Sequence, residues 1–106
     1  AFSPDGEILA SGSWSGRLIL WDALTGEPLT TLGQHTAPVF DLSFSPDGSL
    51  LAAAVLTEGG GTVEIWEVET GEMLAQIRGE RAAFSPDGRA LATIVFRSVR
   101  LWGAAP

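Results

Sequence analysis

The sequence predicts an all-β chain of about three repeated units, and three observations predict it. Phe-Ser-Pro-Asp-Gly occurs at Phe2–Gly6, Phe44–Gly48 and Phe84–Gly88, at spacings of 42 and 40 residues. Each copy is followed by an aliphatic residue and Trp, at Leu20-Trp21, Ile65-Trp66 and Leu101-Trp102, which lie 19, 22 and 18 residues beyond the Phe. Gly and Pro punctuate the chain about every 8–12 residues, and no long stretch carries apolar residues at helical spacing. Short apolar segments at that spacing read as a sandwich, a barrel or a propeller.

The elements follow in order. In Ser-Pro-Asp-Gly, Pro fixes φ early in the turn, Asp can bond the backbone just ahead, and Gly tolerates positive φ. Pro4-Asp5-Gly6, Pro46-Asp47-Gly48 and Pro86-Asp87-Gly88 therefore join a first strand to a second. Thr25-Gly26-Glu27 and Thr70-Gly71-Glu72 form another turn class, after the first two Trp strands. Counting outward places the middle unit's strands near Val39–Ser45, Leu50–Leu56, Thr62–Val68 and Glu72–Arg78. Leu18–Leu20, Leu50–Leu56, Val63–Trp66 and Ala90–Phe96 read as apolar on both sides of the pleat, so each strand must be covered on both faces. The units run approximately over 1–34, 35–78 and 79–106 of a single domain, 1–106.

Composition narrows the function classes. With 45% hydrophobic and 18% charged residues the chain reads as globular. Thirteen acids against six Arg give a net charge of −7, which argues against a sequence-independent nucleic-acid binder. Residues 1–77 carry a net −10 and residues 78–106 a net +3. That asymmetry is either a lopsided solvated surface or a basis for head-to-tail attraction between chains. The absence of cysteine excludes disulfides, a thiolate nucleophile and a Cys-ligated metal. No apolar run is long enough for a membrane-spanning helix, and no membrane partner is expected. The chain begins at Ala1 inside a repeat without an initiator Met, so it reads as truncated, a fragment of a longer protein. The compartment is not fixed, with the cytoplasm slightly favoured.

Thr36 through Gly48 resembles the first strand and turn of a WD repeat, Leu9–Ser13 its second strand, and Leu20-Trp21-Asp22 the Trp-Asp pair. With three copies in register, the chain resembles the WD-repeat (tryptophan–aspartate repeat) β-propeller family over essentially its whole length. The resemblance implies four-stranded antiparallel blades around a channel, here a partial propeller of about three blades with the first and last incomplete. It also implies a hydrogen-bonded His, Ser/Thr, Asp and Trp tetrad in each blade. This chain keeps only remnants: Ser11 and Trp21, then His35 and Trp66, then Thr93 and Trp102. Ser15 stands where Asp is expected, Ala53 replaces the middle hydroxyl, and Thr57–Gly61 stretches the middle Asp turn. Partly filled polar networks are costly, so modest stability per blade is expected.

Little points to catalysis. His35 is the single histidine and lacks nearby co-ligands, so no metal or cofactor is expected. Gly12-Ser13-Trp14-Ser15-Gly16 has Trp, not Ser, at its centre and is no nucleophile elbow. Glu58–Thr62 is Gly-rich but lacks the Lys and helix of a phosphate cradle.

Two aromatics stand out. Strict alternation would bury Phe40 with Leu42 and Phe44, but the resemblance implies a bulge that turns it toward the top face. Trp14, Pro38, Phe40 and Glu80 then form a partner-binding surface; otherwise Trp14 and Phe40 are packing residues. The expected function is a non-catalytic scaffold presenting loops to a protein or peptide. Its remaining blades would come from the parent chain or from other copies of itself. The alternatives are an accessory domain of a hydrolase- or kinase-type enzyme and a self-assembling propeller unit.

Overall fold

A computed structural model describes residues 1–34, 38–57, 60–95 and 98–103. Among these residues ten strands form three antiparallel sheets. The first blade holds β1 (Ile8–Gly12), β2 (Arg17–Asp22) and β3 (Pro28–Gln34), with a Phe2–Leu9 bridge as the end of a further strand. The second blade is a full meander of β4 (Val39–Phe44), β5 (Leu50–Thr57), β6 (Gly60–Glu67) and β7 (Met73–Arg78). The third holds β8 (Arg81–Phe84), β9 (Ala90–Val95) and β10 (Ser98–Gly103). The chain is thus a partial β-propeller. β4, the first strand of the second blade, lies against β1, the second strand of the first blade, on one side and against β8, the first strand of the third, on the other.

The Ser-Pro-Asp-Gly segments are three copies of one turn. Ser3 Oγ donates to Asp5 Oδ1 at 2.6 Å, Asp5 Oδ1 accepts the Glu7 N–H at 2.9 Å, and Ser3 Oγ accepts the Ile8 N–H at 3.0 Å. Asp47 and Asp87 repeat this with Ser45 and Ser85. Gly6, Gly48 and Gly88 follow with φ of 74°, 77° and 74°, a backbone region that favours glycine. These turns also touch across blades. A Cβ on Gly48 would sit 3.5 Å from Pro4 Cδ, and one on Gly88 3.6 Å from Pro46 Cδ.

Two cores lie between the blades, and β5 serves both. Its odd positions Leu51, Ala53 and Val55 join Ala10, Leu18, Leu20 and Leu32 of the first blade, with Val39 and Trp66 of its own. Its even positions Ala52 and Ala54 join Val63, Ile65 and Leu91 against the third blade. Period-two alternation with apolar residues on both faces puts one strand into two interfaces. The run Val63–Trp66 differs from its apolar reading at one place: Glu64 lies on the face toward the first blade and is buried there.

Candidate functional site

The exposed aromatics are positioned by backbone chemistry. Ser13–Gly16 is the turn between β1 and β2, closed by a Gly16 N–H to Ser13 O bond of 3.1 Å. Ser13 Oγ bonds Ser15 Oγ at 2.8 Å and accepts the Arg17 N–H at 3.1 Å. Ser13 O also accepts the Val39 N–H at 3.0 Å, tying the turn to the second blade. Trp14, at the tip, has no strand neighbour and is 85% exposed.

Phe40 owes its place to a slip in register. Val39 pairs with Val55 and Asp41 with Ala54, so Phe40 has no partner of its own. Such a bulge re-aims a side chain. Phe40 is 43% exposed while Leu42 and Phe44 pack on the core. The ladder resumes beyond the bulge with a Leu56 N–H to Pro38 O bond of 3.0 Å.

Gly79 and Glu80 carry the chain from the last strand of the second blade into the third. The Gly79 N–H donates to Gly61 O at 3.0 Å, and the Glu80 N–H to Ile94 O at 2.7 Å. A Cβ on Gly61 would meet Gly79 O at 2.4 Å and Glu80 Cα at 2.8 Å, so only glycine allows this approach. All four residues of the expected surface then line one cavity of about 370 Å³. Trp14 comes from the first blade, Pro38 and Phe40 from the second, and Glu80 from the third. Leu56 and Arg81, which the sequence did not single out, also line it. Gly60 and Gly61 contribute wall without side chains.

The tetrad remnants form separate pairs. Trp21 Nε1 donates to Ser11 Oγ at 2.8 Å, and Trp102 Nε1 to Thr93 Oγ1 at 3.0 Å. Trp66 has Ala53 where the other blades have a hydroxyl, and its Nε1 donates to Glu64 Oε1 at 3.2 Å instead. Glu64 pairs across the ladder with Ala53, so a residue on the tryptophan's own strand supplies the acceptor. Among the described residues no buried side-chain nitrogen or oxygen lacks a partner. The expected cost of incomplete tetrads is thereby reduced in the middle blade. His35 lies outside the described residues.

The turn carboxylates are electrostatically perturbed. The Ser49 backbone N–H, the Ser49 hydroxyl and the Ser45 hydroxyl stabilise the Asp47 carboxylate and lower its pKa to about 2. Asp5 and Asp87 are also lowered, each first by its turn serine, Ser3 or Ser85. Each lies on a different blade, and each is held by the serine of its own turn. Among the described residues no three His, Cys, Asp or Glu converge as a metal site, and no helix is long and apolar enough to cross a membrane.

Known proteins share this pattern. The family model "WD domain, G-beta repeat" matches residues 1–22 and 26–67. WD repeat and SOCS box-containing protein 1 of Homo sapiens is 36% identical over 108 residues, covering 95% of this chain and 25% of that protein. Periodic tryptophan protein 2 homolog of Schizosaccharomyces pombe is 37% identical over 95 residues, covering 84% of this chain and 11% of that protein. WD repeat-containing protein 1 of Gallus gallus is 39% identical over 70 residues, 63% of this chain and 11% of that protein. The chain therefore spans a quarter or less of these relatives. The third blade lies beyond the family-model match yet repeats its Trp–hydroxyl bond and its turn. On the repeated turns, the paired strands and these matches together, the chain belongs to the WD-repeat family of β-propeller proteins.

Proposed function

We propose that the chain is part of a non-catalytic protein-interaction scaffold and that its docking site is the cavity spanning the three blades. One observation carries the reading. Trp14, Pro38, Phe40 and Glu80, distant in sequence, line one opening on rigid sheets, with both aromatics open to solvent. Exposed aromatics on a preformed surface are strong anchors, because little ordering is needed on binding. The surface suits a short peptide segment of a protein partner.

The open faces support a second element of the proposal. Val99 and Leu101 on the far side of the third blade, and Phe2 on the near side of the first, are exposed. Their cover is a neighbouring blade, supplied by the parent chain or by another copy.

Selection of displayed random peptides on the intact protein tests the docking site. Peptides recovered on the wild type should bind a Trp14→Ala, Phe40→Ala double variant at least about tenfold more weakly, with an unchanged melting curve. Equal binding by a folded double variant would place the docking surface elsewhere. Loss of folding would make these two residues packing groups.

A further inference from the structure

We propose that the side chain this cavity takes from its partner is a cation, an arginine or lysine of an extended peptide segment. The proposal rests on the docking reading above and adds the chemistry of the guest. Three features of the lining select it.

The first is the pair of aromatic rings. Trp14 and Phe40 reach the cavity from different blades, and both are exposed. The face of an aromatic ring attracts a cation, Trp most of all. The second is Glu80. It is half-buried in the lining, and its carboxylate makes no hydrogen bond or ion pair with any described residue. A carboxylate partly withdrawn from water gains from an opposite charge that also donates hydrogen bonds. An apolar guest would strip more water from it without replacement, and an acidic guest would repel it. The third is the apolar wall of Pro38 and Leu56. Arginine and lysine have a long aliphatic stem that packs on such a wall while the charged head reaches beyond it.

Arg81 does not already fill this role. It follows Glu80 directly and reaches the same cavity from its own exposed position at the start of β8. No ion pair joins the two, and Arg81 is exposed. The wider charge pattern agrees, since the whole chain carries a net −7. Such a field favours approach of basic segments.

The test uses fluorescein-labelled peptide libraries, identical except for a fixed central residue: arginine, lysine, citrulline, norleucine or glutamate. Binding to the intact protein is read by fluorescence polarisation. The arginine and lysine libraries should bind at least about tenfold more tightly than the citrulline and norleucine libraries. Glu80→Gln should erase most of that preference and leave the norleucine library unchanged, while Trp14→Ala weakens all of them. Added salt should weaken only the cationic libraries. Equal binding of citrulline and arginine, still lost in Trp14→Ala, would overturn the cation and leave the docking site standing. A preference for glutamate that disappears in Arg81→Gln would overturn it with the opposite sign. Binding of no library would overturn both readings. Melting curves of each variant separate loss of binding from loss of fold.

Discussion

The first and third blades present the same ladder positions to opposite fates. Leu18 and Leu20 in β2 are 0% and 2% exposed, with Leu20 opposite Ala10. Their counterparts in β10, Val99 and Leu101, are 63% and 76% exposed, with Leu101 opposite Ala92. The residue types are nearly the same. What differs is the neighbour: the second blade covers the first set, and no described residue covers the second. Burial in this fold belongs to the interface, and each unit depends on the next for its core.

Leucine truncation gives the sharpest break of that comparison. Leu20→Ala should lower unfolding stability by about 2–5 kcal/mol, whereas Leu101→Ala in this chain should stay within about 0.5 kcal/mol. Denaturant midpoints measure both. An equal cost would show that the third blade's outer face is covered in solution.

Glycine substitution sharpens it at the backbone. Gly61→Ala drives a methyl into Gly79 O and Glu80 Cα, neither of which can swing aside. A loss of about 1–3 kcal/mol is expected, with reshaping of the cavity at Glu80. Gly103 has open space around its ideal Cβ, so Gly103→Ala should be close to neutral in the same titration.

The tryptophan pairs offer a smaller contrast. Glu64→Val removes the acceptor of the Trp66 N–H and should cost about 1–2 kcal/mol. Adding Ala53→Ser should recover part of it, because Ser11 and Thr93 fill that place in the other blades. If the second substitution recovers nothing, Glu64 contributes by other contacts.

The smallest effect is acid sensitivity. Asp47 has its folded pKa lowered from 3.8 to about 2 by its turn bonds. A depressed carboxylate pKa stabilises the fold above the unfolded value, and the contribution fades as pH falls through the folded one. The Asp47 part of stability should therefore disappear between about pH 4 and pH 2. Asp47→Asn should flatten that segment of the stability profile, and NMR titration of the carboxyl carbon should give the low midpoint directly.

The fold was legible because its signals are local and repeated. Ser-Pro-Asp-Gly builds its turn from atoms a few residues apart, and the two-sided apolar strands announced a covered sheet. The middle strands fall within a residue or two of their expected ends. Glu64 was not legible in its run, because its role depends on standing opposite Ala53 in the ladder. Phe40 defeats plain alternation, since one slipped pair decides its side. Leu56 and Arg81 carry no pattern at all; only the meeting of three blades brings them to one cavity.

The Pro-to-Gly contacts along the Ser-Pro-Asp-Gly turns have a consequence for ancestry. Pro4 rests beside Gly48 and Pro46 beside Gly88. Each unit thus owns both halves of the joint, a ring to offer forward and a bare backbone to receive it. A tandem copy of the gene segment arrives with its fittings matched to either neighbour. Such a chain can lengthen or shorten by whole units through unequal recombination, with no new contact invented at the seam.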